Sequence, residues 1–231
     1  MTLMLGDPAP NFTADTTQGW INFHDWLGDS WGILFSHPAD FTPVCTTEFA
    51  AMARLQPKFE MRSVKVIGLS TDDLQSHHEW VKDIERTLNV RITFPIIADP
   101  DRIIADLYRM SYTVVFEGER GSQAVRSVFM IGPDKRVKLI LTYPDSTGRN
   151  FKEILRVVDS LQLTERCGVA TPADWNSGED CLIPPDVSTD EAARRFPAGC
   201  VEIRPYLRYT PQPNPRAITS MPRDLIGGRT R

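Results

Sequence analysis

Apolar residues cluster in short runs between longer stretches of helical period, and this alternation predicts strands and helices in turn. Trp31-Gly32-Ile33-Leu34-Phe35-Ser36 is a buried-strand run that feeds a helix from about Pro43 to Phe59. Val64 to Ser70 forms a second strand, and Ser76 with Glu79 supplies a capping-box signature for a helix reaching about Leu88. Ile92 to Ile97 reads as a strand end, with Pro95 placing it at an edge or a terminus. Asp101 through Tyr108 reads as a short helix with Ile103, Ile104 and Leu107 on one face. Val125 to Ile131 and Arg136 to Thr142 flank Gly132-Pro133-Asp134-Lys135 as a hairpin, and a helix from Phe151 to Leu161 closes the unit.

The order β-α-β-α-β-β-α suggests an α/β fold, a thioredoxin-like sandwich of three layers. Beyond Thr164 the character shifts: Pro172, Pro184, Pro185, Pro197, Pro205, Pro211, Pro213 and Pro215 accumulate and periodicity fades. A boundary is expected near residue 165, dividing a main domain (1–165) from a C-terminal extension (166–231). Ser188 and Glu191 form another capping box, so Thr189 to Phe196 reads as a small helix in a mostly extended segment. The extension has too few apolar residues for a core of its own, and is expected to pack on the main domain or on a second subunit.

Composition narrows the function. A chain of 231 residues buries a sizeable core but is too short for two large domains. A net charge of −4 and a pI near 5.6 imply no broad basic surface, so nucleic acid is not an expected partner. No apolar run approaches bilayer length, and Met1 to Asp7 has no basic stretch ahead of an apolar one, so a cytoplasmic location is the expectation. The four cysteines, Cys45, Cys167, Cys181 and Cys200, are too few and too irregular for a disulfide framework, and reduced thiols are the expected resting state.

Cys45 stands apart by its surroundings. Thr42 is placed to cap a helix through its hydroxyl, and Pro43 fits the first helical position, where its missing N–H costs nothing. Cys45 then falls in the first turn, where unpaired N–H groups and the positive end of the helix dipole favour the thiolate over the thiol. No Cys-x-x-Cys occurs, so this cysteine must do something other than dithiol exchange.

The string Ser36-His37-Pro38-Ala39-Asp40-Phe41-Thr42-Pro43-Val44-Cys45-Thr46-Thr47-Glu48 resembles the active-site motif of the peroxiredoxins. Their core pattern, P-x-x-x-T/S-x-x-C, is met by Pro38, Thr42 and Cys45, and the leading His37 and closing Cys-Thr-Thr-Glu look like the one-cysteine branch. Thr142-Tyr143-Pro144, Thr147 to Phe151, Glu153 to Arg156 and Ser160 to Leu163 resemble that branch's second signature. Ala170-Thr171-Pro172, Asp174-Trp175 and Tyr206 to Thr210 are similar to its C-terminal signatures. The resemblance runs from about Leu5 to Pro213, and residues from about Asn214 match no signature.

What the resemblance implies is a thiol-dependent peroxidase: the Cys45 thiolate attacks hydrogen peroxide or an organic hydroperoxide and becomes a sulfenic acid. The family's arginine at the position of Arg126 holds the thiolate and the peroxide, and the one matching Arg149 lies near the site. Thr42 would hydrogen-bond a peroxide oxygen and Pro38 would shield the thiolate from water. Glu48 either orients an arginine or is a plain acid at the helix start. His37 has either a structural or a chemical role. No metal or organic cofactor is required, and His77 and His78, adjacent on one helix and about 100° apart, make a poor ligand pair. The family's C-terminal segment is a dimerisation arm, so a homodimer is expected, with a ring of dimers open. This chain has no Val-Cys-Pro resolving tripeptide, which places an external thiol or thioredoxin-type reductant first. Cys200, ahead of Cys181 and Cys167, is the alternative resolving residue.

Two other readings stay open. A peroxide sensor or chaperone-like oligomer would use the same reactive thiol. Gly28-Asp29-Ser30-Trp31-Gly32 fits the G-x-S-x-G pattern, and a phospholipase A2 activity described for mammalian members of the branch rests on residues matching His24, Ser30 and Asp134. A nucleophile elbow needs a strand before and a helix after, whereas here a strand follows, so the string is read as a turn.

Overall fold

The computed structural model describes residues 3–116 and 119–214, with side chains outside 112–123. The tail beyond Asn214, which matches no signature, lies outside the described residues. Inter-residue contacts divide the chain into two compact units, Met1–Phe151 and Lys152–Arg231.

The first unit is built on a seven-stranded mixed sheet of order β2-β1-β5-β4-β3-β8-β9. Its central strands are β3 (Trp31–Ser36), β4 (Val64–Ser70) and β5 (Ile96–Ala98), which run parallel. β8 (Arg126–Ile131) pairs antiparallel with β3 and with β9 (Val137–Tyr143), forming the expected hairpin. β1 (Thr13–Thr16) and β2 (Gly19–Asn22) add an antiparallel edge that the hydrophobic pattern alone does not announce, because β2 is largely exposed. β6 (Ser111–Phe116) and β7 (Glu119–Ala124) form a separate two-stranded ribbon, also unanticipated. The strand expected from Ile92 is shorter, since Pro95 lacks a donor and pairing begins at Ile96.

Alternation along β3 sorts the layers. Leu34 points to one face with Phe23 and Leu27 of α1 (Phe23–Leu27) and Ile104 and Ala105 of α4 (Ile103–Leu107). Phe35 points to the other face and meets Phe49 of α2 (Pro43–Glu60) at 5.1 Å between ring centroids. α3 (Leu74–Leu88) joins that face through Trp80, 4.7 Å from Phe49. The three expected layers are therefore present: α2 and α3, the sheet, then α1 and α4. Gly68 lets α2 approach the sheet closely, because a Cβ there would stand 3.1 Å from the Phe49 ring.

Several local expectations change. α3 is capped by Asp73, whose carboxylate accepts from the Ser76 N–H, so Ser76 lies inside the helix rather than at its cap. In α4 the buried residues are Ile104 and Ala105, while Ile103 and Leu107 of the expected apolar face are exposed. The closing helix, α5 (Phe151–Cys167), runs past Leu161 to Cys167.

The second unit begins within α5, ahead of the boundary expected near residue 165. It forms a small core that sequence composition understates: Leu163 and Cys167 from α5 gather with Trp175, Cys181, Ile183 and Phe196. β10 (Cys181–Leu182), β12 (Leu207–Thr210) and β11 (Val201–Arg204) make its three-stranded sheet. Ser188 caps α6 (Thr189–Arg195) as expected by accepting from the Glu191 N–H. Arg208, buried in β12, donates to the carbonyls of Pro184 and Val187.

Candidate active site

β3 ends at Ser36, and the chain turns through Pro38 and Thr42 into α2. Cys45, Glu48, Phe49, Met52, Gln56 and Phe59 recur at helical spacing and form the buried face of α2. Cys45 is therefore fixed at the helix start and is 0% exposed. Thr42 occupies the cap position, but its hydroxyl donates to the Ala39 carbonyl at 2.9 Å and makes no side-chain cap bond. Its backbone carbonyl accepts from Thr46 N–H at 2.9 Å, the first helical bond. Pro43 stands at the first turn, and Pro38 is buried.

Strand antiparallelism explains how Arg126 arrives. β8 begins where β3 ends, and Phe35 opposite Val128 places Arg126, two residues earlier, on the α2 face. Arg126 Nη1 lies 3.2 Å from Cys45 Sγ and donates to Glu48 Oε2 at 2.8 Å. Its Nε and Nη2 donate to the Asp145 carbonyl at 2.9 and 2.7 Å, which fixes the plane of the guanidinium.

Glu48 also receives Arg149. Arg149 N–H and Nε donate to Oε1 at 2.7 and 2.9 Å, and Nη2 to Oε2 at 2.7 Å. Arg149 Nη1 bridges the carbonyls of Ser36 and Ser127, both at 2.8 Å, and its guanidinium lies over the rings of Phe35 and Phe151. Burial works to raise the Glu48 pKa, but the hydrogen bonds and charge of Arg149, aided by Arg126, outweigh it and hold the carboxyl below its ordinary range. Two guanidinium groups and one carboxylate leave one surplus positive charge beside the sulfur.

His37 is buried, with Nε2 2.8 Å from Asp40 Oδ1, and it stacks on Trp80 at 4.9 Å. Asp40 Oδ2 accepts from His77 Nδ1 at 2.7 Å and from the Ser76 hydroxyl at 2.9 Å. His37, Asp40 and His77 thus place three groups capable of ligating a metal within 4.8 Å of one another. Their short N–H···O contacts already satisfy the carboxylate, so the geometry is that of a hydrogen-bonded cluster. Sequence reasoning judged His77 and His78 a poor ligand pair but did not find the partner of His77: His78 is exposed, and His77 meets Asp40. The signal was there in the spacing of His77, Trp80 and Ile84, which is that of a buried helix face.

The remaining candidates lie elsewhere. His24 Nε2 is 2.9 Å from the Ala9 carbonyl, Asp134 accepts from Arg136 N–H and from Lys138, and Ser30 sits in a turn that enters β3. None of the hydrogen bonds described for these three joins one to another. All four cysteines are free; Cys167 and Cys181 are buried in the second unit, and Cys200 is exposed beside a cavity of about 300 Å³.

Comparison with known proteins identifies the family. Residues 5–140 match the AhpC/TSA family and residues 160–199 match the C-terminal domain of 1-Cys peroxiredoxin. The chain is 52% identical over 212 residues to the 1-Cys peroxiredoxin of Dictyostelium discoideum, covering 92% of this chain and 86% of that protein. A cysteine-to-serine mutant of the peroxiredoxin 6 of Arenicola marina superimposes with a TM-score of 0.85 at 49% identity, covering 91% of this chain and 99% of that one. A yeast mitochondrial 1-Cys peroxiredoxin, whose structure addresses thiol resolution via glutathione/thioredoxin systems, gives a TM-score of 0.82 at 51% identity, with coverage of 91% and 100%. With its thioredoxin-like sheet, its buried cysteine at the start of α2 and matches along most of its length, this chain belongs to the peroxiredoxins, in their one-cysteine branch, and is a thiol-dependent peroxidase.

Proposed function

We propose that Cys45 is the peroxidatic nucleophile, with Arg126, Thr42 and Pro38 completing the site and Glu48 and Arg149 orienting Arg126. The observation that carries this reading is the 3.2 Å approach of Arg126 Nη1 to Cys45 Sγ, with the same nitrogen bound to Glu48. The anionic sulfur attacks one oxygen of a hydroperoxide, an S–O bond forms as the O–O bond breaks, and the leaving alkoxide or hydroxide takes a proton to become alcohol or water. Sulfur loses two electrons and ends as a sulfenic acid. Arg126 donates toward the negative charge that moves from sulfur to oxygen, the kind of fixed-donor stabilisation that dominates such steps.

Reduction then needs thiols. One external thiol condenses with the sulfenic acid to a mixed disulfide and water, and a second releases Cys45. The yeast relative, whose structure addresses thiol resolution via glutathione/thioredoxin systems, supports the external route, and the exposure of Cys200 keeps it available as a resolving residue. Exposed Val201, Ile203 and Tyr206 on the second unit are apolar surface of the kind a second copy would cover, which supports a homodimer. No helix among the described residues is long and apolar enough to cross a membrane; a cytoplasmic location is proposed because four irregularly spaced cysteines suit a reducing compartment.

Peptide mapping after one equivalent of peroxide, without reductant and with a sulfenic-acid trap, tests this. Trapped Cys45 with no new disulfide is the expected result. A Cys45–Cys200 linkage would make Cys200 the resolving residue, and an unmodified Cys45 would overturn the assignment.

A further inference from the structure

The turn that delivers Cys45 is gripped from two sides, and only one grip involves the arginines. Three donors converge on the Asp40 carboxylate, whose side chain is 1% exposed: His37 Nε2 at 2.8 Å, His77 Nδ1 at 2.7 Å and the Ser76 hydroxyl at 2.9 Å. The Asp40 N–H itself donates to Asp72 Oδ2 at 3.0 Å, and Asp72 is anchored by the Ser70 hydroxyl at the end of β4. Between Asp40 and the helix, Phe41 holds a positive φ of 54° while half exposed, a backbone state that a bulky residue keeps only when its surroundings impose it.

α3 supplies most of that imposition. His77 has an acceptor at each ring nitrogen, Asp40 Oδ2 and, at 3.1 Å, the Ile97 carbonyl of β5, so it ties the turn to the sheet. One turn later Trp80 stacks on His37 and donates from Nε1 to the Thr46 hydroxyl, which in turn donates to the Thr42 carbonyl at 2.7 Å. Ser76, His77 and Trp80 therefore hold both ends of the Pro38–Thr42 segment, while Arg126 and Glu48 hold the sulfur side.

We propose that Asp40, with His77 as its anchor on α3, is a positioning residue for the peroxide step: it fixes the turn that sets Pro38 and Thr42 against Cys45. This rests on the reading of Cys45 as the peroxidatic nucleophile. Neither residue touches the sulfur, so their action is geometric and passes through the turn. Attack on an O–O bond needs aligned donors around the peroxide, whereas alkylation by iodoacetamide needs only a reachable thiolate. The two reagents therefore separate positioning from a general effect on the thiol.

The experiment compares Asp40→Asn, His77→Ala and His77→Gln with the unaltered chain, by rapid-mixing rates with hydrogen peroxide and by the rate of Cys45 alkylation. Asp40→Asn points an amide N–H at donors, and His77→Ala removes the anchor; in both, the peroxide rate falls roughly 10- to 100-fold, the size that misplacement of a reacting group produces. Alkylation of Cys45 in these variants is unchanged or faster. His77→Gln keeps a donor facing Asp40 and recovers most of the peroxide rate. An unchanged peroxide rate overturns the proposal, and so does an equal fall with both reagents. If Asp40→Asn does not fold, the His77→Gln and His77→Ala pair decides by the same criterion. A peroxide reaction that survives in Cys45→Ser would instead defeat the assignment of Cys45, leaving the two failures distinct.

Discussion

Glu48 stands one helical turn after Cys45, and its Oε2 lies 2.8 Å from Arg126 Nη1, the nitrogen that also reaches the sulfur. The helix that carries Cys45 thus also carries the carboxylate bound to the arginine beside its sulfur. A change in helix position moves both together, which keeps sulfur and guanidinium in register.

Glu48→Gln is expected to slow the peroxide reaction and to destabilise the first unit. Removing one partner of a buried ion pair costs about 3–5 kcal/mol, because two guanidinium groups then lack their carboxylate. The folded pKa of Glu48 is depressed, so its stabilisation is fully present above the ordinary value of 4.5 and is lost as pH falls through the lower folded value. Denaturant titrations should show the gap between the unaltered chain and Glu48→Gln at neutral pH, narrowing under strong acid. A gap that widens with acid would contradict this.

Arg126→Lys should fail to substitute. An ammonium cannot reach Sγ, Glu48 and the Asp145 carbonyl from one planar fork, as the guanidinium does. Loss of one fixed donor at a reacting centre costs about 10²–10³ in rate, and stopped-flow reaction with hydrogen peroxide measures it directly. A lysine variant with the original rate would show that charge alone suffices.

Phe49→Ala tests the platform under the site. Phe49 is 0% exposed and touches Phe35, His37, Trp80 and Phe94. Deleting such a ring costs about 3–5 kcal/mol, read as a shift in the urea midpoint with little change in slope.

The cysteines should separate by accessibility. Burial pushes the Cys181 thiol up to about 11 and raises Cys167, whereas Cys200 is exposed. Brief labelling of the native protein at neutral pH with a thiol reagent, read by mass spectrometry, should mark Cys200 and leave Cys167 and Cys181 unlabelled. Equal labelling of all three would show that the core around Trp175 opens readily.

Strong local patterns carried much of this protein in its sequence. The apolar runs of β3 and β4, the Pro43 start of α2 and the turn Gly132 to Lys135 rest on interactions between neighbours a few residues apart, so periodicity and turn chemistry were enough to place them. The motif around Cys45 pointed to its chemistry for the same reason, since a cap, a proline and a cysteine lie within one turn. β1 and β2 were hidden, because β2 buries no residue and β1 is only four residues long, too short for its alternation to stand out. The resemblance pointed to Arg126 beside the thiol and left Glu48 open between two roles; only the tertiary structure decided that Glu48 joins Arg126 to Arg149 and that Asp40 pairs with His77. Those contacts span 37 to 101 positions of sequence, and they arise from the antiparallel run of β8 beside β3 and from the docking of α3 on α2. No local rule encodes them, because the chain between the partners contributes nothing to the contact except the path that brings them together.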